Sequence, residues 1–256
     1  MNVKRTILKI ANSLLRPFGA QIIRWARNGT ATPSGGYQES EFMMSSAVER
    51  ITKHGIAINS IIDIGASNGK WSVEAMKFFP NALFLAIEPL RERKWELENL
   101  KHVYPKFDYV LCVAGEEDGR QVTLCVSDDL DGSTVNGTGG VPRNVPARTI
   151  DAVVSEKKLK GPFLLKFDTH GYEFPILSGS KNILKETNIV IMEVYNFKIT
   201  EHSLRFPEMC LHMEDLGFRC YDMAGPMLRL YDKAFWQMDI FFCRSDSKLF
   251  SYSQYK

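Results

Sequence analysis

Residues 61–69 read Ile61-Ile62-Asp63-Ile64-Gly65-Ala66-Ser67-Asn68-Gly69. A short apolar run closed by glycine reads as a strand, and Trp71 to Phe79 behind it fits a helix. Glycines at such a junction permit a tight turn and let a ligand approach backbone N–H groups. The spacing differs from the GxGxxG of dinucleotide enzymes, because Asn68 and Gly69 stand third and fourth after Gly65. Asp63 can accept hydrogen bonds from a cationic amino group or order the turn itself. Glu88 ends the next apolar run, Ala82 to Ile87, about 20 residues after the turn and directly before Pro89. An acid there can accept both hydroxyls of a ribose; the structural alternative is a charge set against the dipole of the following helix. Turn and acid together point to a nucleoside site.

The alternation continues outward. Leu90 to Val103 reads as a charged helix and Tyr109 to Ala114 as a third strand, a βαβαβ order that implies a parallel sheet with helices on both faces. Gln121 to Val126 reads as a more exposed strand. Ser127 to Pro146 is polar and glycine-rich and reads as a loop of ~20 residues, of the kind that serves as a lid. A helix from Thr149 to Ser155, a strand from Phe163 to Phe167, a helix from Phe174 to Lys185 and a strand from Ile189 to Val194 follow. Pro207 to Leu216 is a helix. Phe218 to Met223 and Asp239 to Cys243 are the last strands, joined by an aromatic-rich connection, Gly225 to Gln237. A connection without a helix favours an antiparallel pair at the sheet edge. The fold expected is a doubly wound α/β sheet, mostly parallel, with a late antiparallel strand.

A chain of 256 residues suits one large core. Its net charge of +2 gives no strong nucleic-acid signal, and no nucleic-acid partner is expected. The five cysteines show no CxxC spacing and read as buried thiols of a reducing, cytoplasmic compartment. No apolar run approaches the ~18 residues of a membrane span.

Three further stretches carry a family resemblance. They are Val145-Pro146-Ala147-Arg148-Thr149-Ile150-Asp151, Leu165-Lys166-Phe167-Asp168-Thr169-His170-Gly171-Tyr172-Glu173 and Ile176-Leu177-Ser178-Gly179. With Asp63 to Ser72, with Glu193 closing the fifth strand and with Met238-Asp239-Ile240 in the last, the chain resembles the FkbM-type methyltransferases of the Rossmann-like class. The resemblance implies S-adenosylmethionine as cofactor. It implies a cleft with Asp63, Gly65 and Gly69, and the intervening Ala66, Ser67 and Asn68, around the methionine part, Glu88 on the ribose and Ala114 at the end of the third strand. Asp168 would stand beside the transferred methyl. Many members carry Glu or Gln where this chain has His170. No acid follows Val113 at once, so the adenine contact stays open between Glu116 and a backbone carbonyl.

Ligands in such sheets bind outside the carboxyl ends of the strands. Methyl transfer to an alcohol needs the acceptor oxygen held roughly 3 Å from the methyl and relieved of its proton. His170 is the preferred base, with Asp168 orienting it; Asp168 itself could be the base or position the acceptor. A divalent ion held by Asp168, His170 or Glu193 would equally acidify the hydroxyl, although no compact ligand motif demands a metal. Glu173 reads as a helix cap. The acceptor expected is a small molecule or a saccharide, covered by the polar loop and by Tyr231, Phe235 and Trp236. The rivals are a nicotinamide-dependent oxidoreductase and a cofactor-binding scaffold without turnover.

Residues 1–38 form a separate basic extension and linker, ahead of the catalytic domain in 39–256. Lys4, Arg5, Lys9, Arg16, Arg24 and Arg27 meet no acid before Glu39, and Ile7, Leu14, Leu15 and Phe18 share a helical face. Such a helix either docks on the catalytic domain or, through residues 1–27, lies on an anionic membrane, here the inner membrane face. Removing residues 1–30 separates the two. Loss of flotation with anionic vesicles at unchanged melting temperature marks the membrane; a lowered melting temperature marks docking.

Overall fold

The structure, a computed structural model, describes residues 39–255 apart from Thr138 and His202, so the basic extension lies outside the described residues. Helix α1 (Met44–Lys53) leads into β1 (Ser60–Ile64), α2 (Lys70–Met76), β2 (Leu83–Glu88), α3 (Lys94–Val103), β3 (Phe107–Leu111) and the short β4 (Val113–Ala114). Then come β5 (Gln121–Val126), β6 (Thr134–Val135), β7 (Val141–Arg148), α4 (Ile150–Glu156), β8 (Phe163–Phe167) and α5 (Glu173–Ser178). β9 (Thr187–Tyr195), α6 (Phe206–Asp215), β10 (Phe218–Leu228) and β11 (Phe235–Arg244) complete the order.

The main sheet has the order β10-β11-β9-β8-β1-β2-β3. β3, β2, β1, β8 and β9 are parallel, while β11 pairs antiparallel with both β9 and β10. This is the expected doubly wound Rossmann-like sheet with its late antiparallel pair. The chain winds one way from β1 to β3 and the other way from β8, so the switch point opens between β1 and β8, where such sheets bind ligands. Both central strands are buried at every residue. Period two sends Ile62, Ile64, Leu165 and Phe167 into one core, and Ile61 and Leu164 into the other with Phe84 and Phe241. Each such side chain stabilises the fold by about 1.5–3 kcal/mol when fully buried.

Four expectations change. The segment 127–146 is not a structureless loop: β6 and β7 join β5 and β4 in a second sheet of order β4-β7-β5-β6. β4 pairs with β7 only at Ala147 and Arg148, so the rest of β7 is an edge, where Pro142 and Pro146 are tolerated. The third strand ends at Leu111, where its partner β2 ends at Glu88, and Val113 and Ala114 turn to the second sheet. The helix after His170 stops at Ser178, because Gly179 passes so close to Gly115 that a Cβ would sit 2.1 Å from its carbonyl oxygen. The chain resumes there as a 3-10 turn at Ile183–Glu186. β10 and β11 absorb most of the aromatic connection.

The cysteines are free, but only Cys243 is buried, Cys220 is exposed and the other three are half-buried. No helix among the described residues is long and apolar enough to cross a membrane.

Gly65 has φ +78°, and a Cβ there would lie 2.0 Å from the Asp168 carbonyl oxygen. The loops after β1 and β8 therefore touch backbone to backbone, so this glycine is required by the chain's own packing. Gly65→Ala is expected to destabilise the protein by about 2 kcal/mol or more. Thermal unfolding should show the melting temperature falling by roughly 5 °C; an unchanged value would remove the packing argument.

Candidate active site

A cavity of about 310 Å³ lies at the carboxyl ends of the central strands. Its floor comes from the ends of β1, β2, β8 and β9, its far wall from Cys112, Val113 and Ala114, and its roof from Leu124, Leu130, Asp131, Ser133 and Val135. The cleft is divided by chemistry. In sheet order the ends of β9, β8 and β1 bring the polar Glu193, Asp168, Thr169, His170 and Ser67 to one end, while β2 and the strands beyond it bring the apolar Ile87, Val113, Leu124 and Val135 to the other.

Glu88 sits between the two. It is buried and accepts from the backbone N–H of Ser67 at 2.7 Å and of Leu90 at 2.8 Å. Burial pushes it up to about 7, against those two donors. The carboxylate thus pins the glycine turn to β2 while lining the cleft. Ser67 also reaches the roof: its hydroxyl donates to Asp131 Oδ1 at 2.7 Å, and Arg93 Nη2 donates to the same oxygen at 2.5 Å.

The rest of the turn lies behind the cleft wall. Asp63 is 1% exposed and accepts from Ser72 Oγ at 2.7 Å on α2. Burial raises it to about 6 in spite of Lys166 and Ser72. Gly69 starts α2 at φ +78°, with Leu100 and Leu97 packed where a side chain would go. Asn68 Oδ1 accepts from Lys70 N, and Ala66 is buried in the core. Of the turn expected around the cofactor, Gly65 and Ser67 line the cavity, whereas Asp63, Ala66, Asn68 and Gly69 shape it from behind. Ala114 lines the far wall. Glu116 is held by Arg120 at 2.8 Å instead.

The polar floor is a charge cluster. Lys166, 2% exposed, lies 3.0 Å from Asp168 Oδ2 and 4.0 Å from Asp239 Oδ1. Burial works to lower the lysine, but Asp168, Asp239 and Asp63 hold it above its ordinary value. Burial works to raise Asp168, and Lys166 and His170 hold it below the usual range. Burial pushes Asp239 up to about 6. Glu173, buried, accepts from Gly171 N at 2.9 Å and Thr169 Oγ1 at 3.0 Å, so it braces the Asp168–Gly171 turn away from the cleft.

His170 stands in that turn at φ +48°. Its Nδ1 is 2.9 Å from Tyr195 Oη and 3.3 Å from Glu193 Oε1, and its Nε2 is 3.8 Å from Asp168 Oδ1. Tyr195 also donates to Glu193 Oε1, while Gln237 Nε2 donates to Glu193 Oε2 at 2.5 Å. Burial would lower His170, but Glu193 and Asp168 raise it to about 9. The two acids thus favour the protonated ring in the unliganded protein. Asp168, His170 and Glu193 each offer an atom within 4.8 Å of the others, a group able to hold a metal ion.

Sequence reasoning assigned no role to Lys166, Tyr195 or Gln237, whereas the roof residues Leu130, Asp131, Ser133 and Val135 fall in the stretch it read as a covering loop. A lysine inside the apolar run Phe163 to Phe167 was the available signal for the first. The aromatic connection is mostly packing: Trp236 stacks on Phe197 and meets Tyr195 edge-on, Phe235 meets Phe206, and Tyr231 stands 91% exposed.

A family model described as the methyltransferase FkbM domain matches residues 63–220. No curated protein sequence matches the chain. Among solved structures, a precorrin-6y C5,15-methyltransferase from Geobacter metallireducens is 14% identical, with 79% of this chain and 90% of that one covered at a TM-score of 0.43. A SAM-dependent methyltransferase from Aquifex aeolicus is 13% identical over 82% and 93%, at a TM-score of 0.42. The fibrillarin of Aeropyrum pernix, solved with bound S-adenosyl-L-methionine, is 12% identical over 71% and 66%, also at 0.42.

The His170 ring is expected to titrate near pH 9 in the unliganded protein, followed by its NMR ring protons, and Glu193→Gln should bring it down. Its folded value lies above the unfolded one of about 6.5. The stability it contributes is therefore complete below about pH 6.5 and is lost as pH rises through about 9. A wild-type titration near 6.5 would remove the assignment.

Proposed function

This chain belongs to the FkbM methyltransferase domain family, and on that premise we propose that it moves a methyl group from S-adenosylmethionine to a hydroxyl oxygen of a sugar, glycan or other small molecule. The observation that carries the reading is the division of the cleft. Its apolar end, under Leu124 and Val135, suits a flat adenine. Glu88, at the middle, suits the ribose hydroxyls. The polar end, at Ser67 and Asp168, suits a charged amino-acid tail. One cavity thus matches one amphipathic molecule along its length.

The sulfonium methyl then falls near Asp168, and the acceptor hydroxyl docks against Asp168, His170 and Glu193. That group holds the oxygen in line with the methyl and lowers the cost of losing its proton, two effects that together account for most of the rate in such a displacement. Tyr195, Gln237 and Lys166 position these three side chains. The roof segment around Leu130 and Asp131, strapped to Ser67 and Arg93, closes over the bound cofactor and sheds water from the reacting atoms.

Calorimetry is expected to show binding of S-adenosylmethionine and of its demethylated product, and none of NAD. Glu88→Ala should weaken the cofactor by about 1–3 kcal/mol, roughly 5- to 150-fold. His170→Ala should leave cofactor affinity close to wild type while cutting turnover about 100-fold, read by radiolabelled methyl transfer onto fractionated glycans and small molecules. NAD binding in place of the methyl donor would favour an oxidoreductase. Cofactor binding with no labelled acceptor in any fraction would favour a scaffold.

A further inference from the structure

We infer that Asp168, His170 and Glu193 bind a divalent cation of the Mg²⁺ or Mn²⁺ kind, on which the acceptor oxygen is held. The inference deepens the methyl-transfer reading and rests on it for the cation's role, though not for its binding.

Geometry comes first. The two carboxylates stand on adjacent strand ends, Asp168 after β8 and Glu193 in β9, with His170 between them. One atom from each residue lies within 4.8 Å of the other two. An octahedral ion with bonds of about 2.1 Å places its ligand atoms roughly 3–4.2 Å apart, so a small contraction closes the set. His170 Nε2 and Asp168 Oδ1, at 3.8 Å, already have that separation.

Each acid is also oriented by a donor on its far oxygen. Lys166 holds Asp168 Oδ2 at 3.0 Å, and Gln237 holds Glu193 Oε2 at 2.5 Å. Asp168 Oδ1 faces Nε2 of the His170 ring, while Tyr195 Oη meets Nδ1 and donates to Glu193 Oε1. That leaves Nε2 as the ring's ligand atom and makes Tyr195 the group that a bound ion would displace from Glu193. Donors of this sort behind ligand atoms are how proteins aim a metal site. The turn itself is braced by Glu173 through Thr169 and Gly171.

Charge points the same way. Around this floor stand the carboxylates of Asp63, Asp168, Glu173, Glu193 and Asp239, and Lys166 is the one lysine packed among them in the described residues. A partly buried surplus of negative charge is what a divalent ion neutralises. Two carboxylates and one imidazole, with no sulfur, select a hard or borderline ion.

Three protein ligands leave open positions on the side of the cleft. An acceptor hydroxyl bound there is acidified and gives its proton to solvent. An oxygen lone pair then forms the C–O bond as the methyl C–S bond breaks. The electron pair of that bond stays on sulfur, which passes from sulfonium to neutral thioether.

The test uses full-length protein stripped by chelator, with Mn²⁺ alone as probe and neither cofactor nor acceptor present. Paramagnetic resonance of free Mn²⁺ should show one ion taken up per chain. Asp168→Asn and Glu193→Gln should each weaken that binding tenfold or more, with folding checked by circular dichroism. Nitrogen hyperfine coupling from the imidazole should vanish in His170→Ala. No uptake at millimolar Mn²⁺, or uptake unchanged in the folded variants, overturns the site. Full turnover after chelation would overturn the cation's role and leave the methyl-transfer reading intact. Specific Mn²⁺ uptake in a protein that methylates nothing would keep the site and remove that reading.

Discussion

The structure turns on Lys166, a buried ammonium that carries the acids of the two central strands and of β11. In register it lies across from Asp63, and its Nζ reaches Asp168 and Asp239. A lone charge at that depth would be untenable, and Asp63, as buried as the lysine, would lose its opposite charge without it. Removing one partner of a buried ion group costs about 3–5 kcal/mol, a large part of a typical total stability of 5–15 kcal/mol. The lysine therefore fixes where β1, β8 and β11 stand relative to one another. In doing so it presents one oxygen of Asp168 toward the cleft. Stability and site geometry come from the same contact.

The close approach of the loops after β1 and β8 follows from that arrangement. Asp168 N donates to Ile64 O at 2.9 Å, and the Asp168 carbonyl occupies the space over Gly65. On the other side, Gly65 N donates to Ile87 O at 2.9 Å, and Glu88 takes the Ser67 amide. The turn is clamped from both neighbouring strands, so its N–H groups are held to the cleft floor. This is the kind of preorganisation that an in-line displacement needs, because a misplacement of about 1 Å at the reacting atoms costs on the order of 100-fold in rate.

The second sheet gives the cleft its roof and its asymmetry. β5 and β6 contribute Leu124 and Val135 over one end, while Asp131 reaches Ser67 and Arg93 over the turn. The contact from the roof to the turn is polar and exposed at Asp131, so it is screened by solvent and easily remade. The apolar end is shielded by packed side chains.

The sequence by itself determined the fold class and which strand ends carry the candidate site residues. Continuous apolar runs of four to six residues, alternating with helical stretches, leave only a parallel sheet covered on both faces. Asp63 to Gly69, Glu88 and Asp168 to Glu173 all fall at strand ends, because short-range pattern fixes where β1, β2 and β8 stop, though not where β3 does. What the pattern could not carry was long-range. The exposed edge of β7, with Pro142 and Pro146, has the composition of a loop and becomes a strand only by pairing with β5. Gly65 reads as space left for a ligand until the Asp168 carbonyl is seen to fill it. The partners of His170, Glu193 and Tyr195 from β9, come within hydrogen-bonding reach of its ring only in the fold. Asp239 and Lys166 lie far apart in the chain, and only the order of β1, β8, β9 and β11 in the sheet brings them to one point. Protonation and ligation depend on which groups meet across that sheet, and such meetings are settled by tertiary packing, which no local spacing records.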